Sequence, residues 1–214
     1  MTLNRHIDHT LLSPVAREAE IRRLCEEAKH YHFKSVCVNG VYTAFAAAML
    51  KDTDVSVCTV IGFPLGQGAS EAKASEAALA VRDGAAEVDM VMNIAKLKDK
   101  EDGYVLNDIR AVREAIGPET VLKVIIETAL LTDGEKIRAC KLAVDAGADY
   151  VKTSTGFNGG GATASDVRLM ADTVGDRAKV KASGGIRNRR AAEEMIRAGA
   201  DRIGASASVT IVSE

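Results

Sequence analysis

The sequence has few cysteines, and those present form no recognisable pattern. Its 214 residues include four, with no CxxC pair and no spacing typical of metal ligands: Cys25, Cys37, Cys58 and Cys140. Disulfides are rare in reducing compartments, and disulfide frameworks and zinc sites use regularly spaced cysteines. The pattern therefore predicts reduced thiols in a cytoplasmic protein, and it indicates no metal site.

A long apolar run is also missing, and neither sign of charge dominates. No stretch approaches the roughly 20 apolar residues that a membrane-spanning helix needs. Charged residues precede the first apolar run, which is unlike a signal peptide. Lysine and arginine total 28 against 30 acidic residues, a formal net charge of -2, with both signs interspersed. We therefore expect neither a membrane nor a nucleic acid as a partner.

Linkers, low-complexity stretches and breaks in composition are absent as well. A chain of this length can bury a sizeable hydrophobic core by itself. We therefore expect residues 1–214 to form a single domain.

What the sequence does contain is a repeated unit in which a helical stretch ends at glycine and an apolar run follows. The unit occurs at 84–89, 147–152 and 199–204. Glycine closes a helix because it adopts the left-handed conformation without steric cost. Five residues after the glycine the copies carry Asp89, Lys152 and Gly204, so the repeat predicts one equivalent strand position for all three.

Capping residues and helical periodicity support these helices. We expect helix starts at Ser13, Ser70, Asp133, Thr163 and Asn188, since serine, threonine, aspartate and asparagine are preferred caps. Apolar residues then recur at intervals of three and four, as they do on one face of an amphipathic helix. The glycines at 84, 147, 175 and 199 are the predicted stops.

Short apolar runs separate the predicted helices. Runs that are apolar at successive positions are typical of parallel strands buried on both faces. Eight strands alternating with helices predict a closed (β/α)8 TIM barrel, with an open doubly wound sheet as the alternative. The predicted strands are 7–11, 35–38, 55–61, 87–92, 121–126, 150–152, 179–181 and 202–204.

The C-terminal ends of barrel strands form the active site of this fold. Asp89, Lys152 and Lys181 lie there on predicted strands four, six and seven, where a carboxylate and two amines could meet. The alternative interpretations are a structural ion pair for Asp89 and solvated surface charges for the lysines. The shared strand position favours a joint chemical role.

Two neighbouring lysines can supply a nucleophile. A neutral amine at pH 7 requires the lysine pKa to fall by roughly 3 units, or about 4 kcal/mol. A second cation at about 4 Å, at an effective dielectric constant near 20, supplies roughly that amount. The argument holds equally for Lys152 and for Lys181, so the residues alone do not decide which one reacts.

Seven segments resemble, in the same order along nearly the whole chain, the motifs of the deoxyribose-phosphate aldolase family. The resemblance implies a class I aldolase that reversibly joins acetaldehyde and D-glyceraldehyde 3-phosphate into 2-deoxy-D-ribose 5-phosphate. The segments are IDHTLL at 7–12, SVCVN at 35–39, GFPLG at 62–66, EVDMV at 87–91, VKTSTGF at 151–157, VKASGGIR at 180–187 and RIGAS at 202–206.

The resemblance also implies a role for each candidate residue. Lys152 forms the Schiff base, Lys181 tunes its charge and assists proton transfer, and Asp89 with water carries the proton. The resulting iminium serves as the electron sink, so the chemistry needs no cofactor and no metal.

Residues after the last three strands are candidates for binding a substrate phosphate. Phosphate sites in this fold follow strands seven and eight, where backbone N–H groups are available as donors. The glycines at 184, 185 and 204 could equally serve only to turn the chain. The triple glycine at 159–161 matches no phosphate-binding motif. The candidates are Thr155, Gly156, Gly184, Gly185, Gly204 and Ser206.

Other interpretations remain open at this point. A phosphosugar isomerase on the same barrel, or a barrel that only binds phosphate, would leave the paired lysines as coincidence. Lys123 could point into the site or away from it, and Asp8 could contact substrate or cap a loop. Gly40 stands where relatives often carry proline, and the sequence ends without the tyrosine that assists some members. We expect a homo-oligomer, either a dimer or a tetramer.

Overall fold

A computed structural model describes residues 3–214, which form a closed barrel of eight parallel strands. Each strand pairs with the next along the chain, and the eighth pairs with the first. This confirms the predicted TIM barrel and excludes the open sheet. The strands are β1 (Ile7–Leu11), β2 (Ser35–Val38), β3 (Ser56–Ile61), β4 (Glu87–Val91), β5 (Val121–Ile125), β6 (Tyr150–Lys152), β7 (Lys179–Ser183) and β8 (Arg202–Ala205).

Nine α-helices within residues 3–214 surround the barrel or cover its ends. The described chain contains no helix with the length and apolar character needed to cross a membrane. The helices are α1 (Glu18–Tyr31), α2 (Thr43–Leu50), α3 (Ser70–Arg82), α4 (Ile94–Lys98), α5 (Asp102–Ile116), α6 (Asp133–Asp145), α7 (Ala164–Val174), α8 (Arg189–Arg197) and α9 (Ser208–Ser213).

The predicted strand bounds differ from the observed ones by at most two residues at either end. Helix starts were predicted less well. Thr163 and Asn188 are the N-caps of α7 and α8, and α3 does begin at Ser70. Ser13 is not a cap, because the chain makes a turn there and α1 begins only at Glu18.

The cap of α6 is also displaced, by one residue. Thr132 is the N-cap, and it shares a capping box with Glu135, so the predicted cap Asp133 is the first helical residue. The glycine stops are confirmed: Gly84, Gly147 and Gly199 have φ of 100°, 88° and 115°, which suits glycine alone at a helix end.

The hydrophobic core lies between the strands and the helices. Buried side chains from both layers form one large cluster, which includes Val88 and Met90 of β4 and Ile109 of α5. Because successive strand residues point to opposite faces, the residues that alternate with this cluster point into the barrel. The interior of the barrel therefore receives a different set of side chains.

Candidate active site

Charged side chains fill the middle of the barrel. On β4, Glu87 and Asp89 point inward, whereas Val88 and Met90 point toward the helices. Seven charged residues meet there, and each is at most 5% exposed: Asp8, Glu87, Asp89, Lys123, Lys152, Lys181 and Arg202. We call this set the interior charge cluster.

Asp89 occupies the centre of the interior charge cluster. Its Oδ2 accepts hydrogen bonds from Lys152 Nζ and Lys181 Nζ, each at 2.7 Å. Its Oδ1 accepts from Lys123 Nζ at 2.8 Å and from Cys58 Sγ at 3.1 Å. The structure thus brings the three residues predicted from the repeat and the motifs into direct contact.

Asp8 and Lys123 both belong to the same network, so the structure shows where these two side chains point. Asp8 is fully buried and accepts from Lys181 Nζ and from Arg202 Nη1. Lys123 points inward, with Nζ 2.6 Å from Glu87 Oε2. Asp8 therefore neither caps a loop nor faces the opening, and Lys123 supplies a third ammonium beside Asp89.

The pKa values of Asp89 and Lys181 move in the directions that keep both groups charged. Burial raises the pKa of Asp89, but Lys123, Lys152 and Lys181 outweigh burial and hold it well below the usual range. Burial lowers the pKa of Lys181, but Asp8 and Asp89 outweigh it and hold that pKa far above the ordinary value. Near neutral pH the resting site therefore contains an ionised carboxylate beside an ammonium.

The position of Asp89 changes the simple two-lysine argument. Its carboxylate lies between the two ammonium groups, so the repulsion of one lysine by the other is partly offset. A different imbalance remains, since three lysines and one arginine face three carboxylates. With every group ionised the interior charge cluster carries one excess positive charge, which loss of a single lysine proton removes.

A cavity of about 510 Å³ opens at the C-terminal ends of the strands, above the interior charge cluster. Lys152 is the lysine that lines it, whereas Lys123 and Lys181 do not. Of the two candidate nucleophiles, Lys152 is therefore the one whose side chain a molecule in the cavity can reach. Lys152 also shares the cavity wall with all six residues predicted to bind phosphate: Thr155, Gly156, Gly184, Gly185, Gly204 and Ser206.

The candidate phosphate residues differ in what they can offer. The Thr155 hydroxyl donates to Glu127 Oε2, so its proton is already used within the protein. A Cβ on Gly204 would lie 3.0 Å from Lys181 Cε, so this glycine makes room for the lysine. Gly184 and Gly185 have φ of 89° and 79° at the turn after β7. These glycines let the backbone reach the cavity.

Three residues of the described chain could in principle hold a metal ion. Sγ of Cys37 and of Cys58 and a carboxylate oxygen of Asp89 lie within 4.8 Å of one another. Three lysine ammonium groups already contact Asp89, however, and Lys123 Nζ also lies 3.3 Å from Cys58 Sγ. This concentration of positive charge suits an anion better than a cation.

Sequence reasoning missed Glu87, Arg202 and Glu127 as parts of the site. The first two had a signal, because each lies two residues before a predicted site position and therefore on the same strand face. Glu127 had none, since its partner Thr155 lies 28 residues away and the contact depends on how two loops meet.

A lysine that reaches the mouth of a parallel eight-stranded barrel, beside a carboxylate and a second ammonium, defines a barrel enzyme that works through an amine nucleophile. The comparisons with known proteins specify the class. The family of DeoC/LacD aldolases matches residues 3–210, and the chain belongs to this family. It is therefore a carbon–carbon lyase.

Several relatives are similar over nearly their whole length. The chain is 58% identical to the deoxyribose-phosphate aldolase of Enterococcus faecalis, covering 100% of this chain and 97% of that protein. It is 59% identical to that of Bacillus subtilis, covering 99% and 95%. It also resembles the solved structure of the tetrameric deoxyribose phosphate aldolase from Aeropyrum pernix, with a TM-score of 0.92, 37% identity and coverage of 99% and 89%.

Proposed function

We propose that this chain is a class I aldolase that reversibly cleaves 2-deoxy-D-ribose 5-phosphate into D-glyceraldehyde 3-phosphate and acetaldehyde. The observation that carries the proposal is the position of Lys152, which contacts Asp89 at 2.7 Å and also lines the cavity. The names of relatives at 58% and 59% identity over the full length support the choice of substrate.

Lys152 is the nucleophile in this proposal. Its amine must first lose a proton, and that loss neutralises the excess positive charge of the interior charge cluster. The amine nitrogen then bonds to the substrate aldehyde carbon as the carbonyl π bond breaks, and the carbonyl oxygen takes up the proton that the Lys152 ammonium released. Lys181, held as an ammonium by Asp8 and Asp89, maintains the positive potential that favours this neutral amine.

Asp89 carries protons in the next steps. As a carboxylate within 2.7 Å of Lys152 Nζ, it accepts the proton that the amine nitrogen loses as the carbinolamine forms. Through a water molecule it returns that proton to the departing hydroxyl, which leaves as water and yields the iminium. Because its pKa is depressed, Asp89 holds a proton only briefly and passes it on to the water molecule.

The iminium then withdraws electrons from the adjacent carbon–carbon bond. The bond between C2 and C3 breaks, its electron pair forms an enamine, and the C3 hydroxyl loses its proton to become the aldehyde of D-glyceraldehyde 3-phosphate. Protonation of the enamine and hydrolysis of the imine release acetaldehyde and regenerate Lys152. Electrons and protons balance without an oxidant or reductant.

The substrate phosphate occupies the outer part of the cavity in this proposal. Gly184 and Gly185 offer backbone N–H donors at the turn after β7, and Ser206 offers a hydroxyl after β8. Thr155 and Gly156 contribute backbone atoms to the cavity wall. The Thr155 hydroxyl is not counted as a phosphate donor, because it already donates to Glu127. Arg187 also lines the cavity and adds a guanidinium to the anion site.

Incubation with 2-deoxy-D-ribose 5-phosphate tests the proposed reaction. We expect equal amounts of acetaldehyde and D-glyceraldehyde 3-phosphate, each measured with its own coupled dehydrogenase. Conversion of the substrate to a five-carbon isomer without acetaldehyde would contradict the proposal and favour the phosphosugar isomerase. Binding without turnover would favour a barrel that only binds phosphate.

A cytoplasmic homo-oligomer completes the proposal. The relative from Aeropyrum pernix, similar at a TM-score of 0.92, is tetrameric, which supports self-association here. The free and buried state of all four cysteines fits a reducing compartment. Light scattering on the purified protein distinguishes a monomer, which would contradict this part, from a dimer or a tetramer.

A further inference from the structure

Glu127 is a buried glutamate for which the reaction above has no use. It lies between β5 and the short 3-10 turn Thr128–Leu130, with φ of 54° and ψ of 66°. Non-glycine residues adopt this left-handed conformation rarely and at a cost. Among residues 3–214 four non-glycine residues have a positive φ, and the other three, His32, Asp52 and Lys100, are exposed. The surroundings of Glu127 must therefore favour this conformation.

The carboxylate of Glu127 contacts a single turn after β6. Thr155 N donates to Oε2 at 3.2 Å and to Oε1 at 3.3 Å, and the Thr155 hydroxyl donates to Oε2. Asn158 Nδ2 donates to the same Oε2 at 2.8 Å. Several donors converging on two oxygens suit an ionised carboxylate, which only accepts. In the described chain these donors are all neutral.

The backbone around Glu127 explains why the side chain is needed. Ile126 N donates to Lys152 O at 3.0 Å, and Thr128 N donates to Thr153 O at 2.9 Å. These two bonds continue the pairing of β5 with β6 just past the nucleophile. At Thr155 the carboxylate of Glu127 takes the place of a backbone acceptor, so the side chain extends the contact between the two strands.

The turn held in this way forms part of the cavity wall. The Thr155 hydroxyl accepts a hydrogen bond from Phe157 N at 3.1 Å. Because Glu127 fixes this hydroxyl, it also helps to fix the backbone at Phe157. Thr155, Gly156 and Phe157 all line the cavity with Lys152. The Phe157 ring meets the Phe63 ring edge-on, with centroids 5.1 Å apart, and so joins the loops after β3 and β6.

We propose that Glu127 is a positioning residue that holds the turn at 155–158 and thereby shapes the subsite for the phosphorylated aldehyde. The inference rests on the proposed function, since it assigns a part of the cavity to one half of that substrate. Glu127 contacts the turn and not Lys152 Nζ, so it affects the fit of the phosphorylated portion more than imine formation.

The variant Glu127→Gln tests the proposal. Gln keeps the shape but removes the charge and replaces one acceptor oxygen with an NH2 donor, which then faces either Thr155 N or the Asn158 amide. We expect kcat/KM for 2-deoxy-D-ribose 5-phosphate to fall about 10- to 100-fold, mainly through KM, as for loss of charge-assisted hydrogen bonds. The rate at which acetaldehyde alone forms a borohydride-trapped adduct is expected to stay unchanged. Glu114→Gln, at an exposed position on α5, is the matched control.

A second substitution provides a rescue that a general loss of stability would not show. In Glu127→Gln/Asn158→Asp the donor and the acceptor exchange places, and the negative charge returns. Asn158→Asp alone sets two carboxylates against each other, so both single variants are expected to be impaired and the double variant to recover most of the lost kcat/KM. The contact can also be tested from its other end, because Thr155→Val removes the hydroxyl whereas Thr155→Ser keeps it.

Each outcome decides the question. An unchanged kcat/KM in Glu127→Gln would overturn the positioning role, as would an equal loss in adduct formation and cleavage. A double variant no better than the single ones would overturn it too. If Glu127→Gln does not fold, equal kcat/KM in Thr155→Val and Thr155→Ser would overturn it. Wild-type protein that forms no acetaldehyde adduct would contradict the proposed function itself.

Discussion

The two faces of the same eight strands differ in chemistry. The outer face carries apolar side chains that pack against the helices, as Val88 and Met90 do on β4. The inner face of that strand carries Glu87 and Asp89, which belong to a buried network of seven charges. The comparison indicates that apolar packing in the outer layer stabilises the fold. Because the stability comes from there, the inner layer can carry buried charges.

Replacing Lys152 is the strongest test of this division. Lys152→Met keeps the length of the side chain and removes the amine, so we expect kcat to fall by about 10⁴-fold or more, as when a covalent nucleophile is lost. Stability is expected to change little, because Asp89 keeps Lys123 and Lys181 as partners. Steady-state kinetics and thermal unfolding measure the two effects. Lys179→Met, at an exposed position on β7, is the control.

Replacing Asp89 is expected to affect both activity and stability. Asp89→Asn removes the carboxylate that three lysines share, so we expect kcat to fall about 10²- to 10⁴-fold, the range for loss of a proton-transfer group. The free energy of unfolding is expected to fall by about 3–5 kcal/mol, because buried ammonium groups lose their partner. Urea titration measures the second effect. Wild-type activity in this variant would show that Asp89 carries no proton.

A substitution in the outer layer is expected to lower stability without lowering activity. Ile109 is fully buried on α5 within the apolar cluster. Ile109→Ala leaves a cavity, so we expect a loss of about 2–5 kcal/mol in the free energy of unfolding. Activity per folded molecule is expected to stay at the wild-type value. A large fall in kcat in protein shown to be folded would mean that the two layers are coupled.

Near neutral pH the free energy of unfolding is expected to depend little on pH, and this is the smallest of the expected effects. The pKa of Asp89 is depressed in the folded state. The contribution of the Asp89 carboxylate to the free energy of unfolding is therefore complete above the unfolded pKa of about 3.9 and is lost as pH falls below that value. The pKa of Lys181 is raised, so its contribution is complete below about 10.4 and is lost above that.

The measurement is the difference in unfolding free energy between wild type and Asp89→Asn across pH. Between about pH 5 and pH 9 we expect this difference to be constant, since neither group titrates there. Below about pH 4 we expect it to shrink. A steep change around pH 7 would indicate that a member of the interior charge cluster titrates near neutrality in the folded protein.

The outer layer and the strands could be predicted from the sequence because local patterns determine them. Apolar runs and glycine stops gave strand bounds to within two residues. The helix α5 was missed although its buried residues Val105, Ile109, Val112 and Ile116 have helical spacing. This helix is therefore encoded locally, like the others.

The inner layer was predicted only in part, because its contacts join distant segments. The repeat and the motifs identified Asp89, Lys152 and Lys181, but Asp8 lies 173 residues from Lys181, with which it pairs. Lys123 is surrounded by apolar residues on both sides in the chain, so alternation could not tell which face it occupies. The register of β5 against β4, which pairs Lys123 with Asp89, decides this.

We expect Lys152, alone among the buried lysines, to form the imine. Incubation with acetaldehyde, reduction with borohydride and peptide mass spectrometry would locate any ethylated residue. We expect modification confined to Lys152, the lysine of the interior charge cluster that lines the cavity. Modification of Lys181 instead would reverse the assigned roles, and folded protein without an adduct would contradict the Schiff-base mechanism.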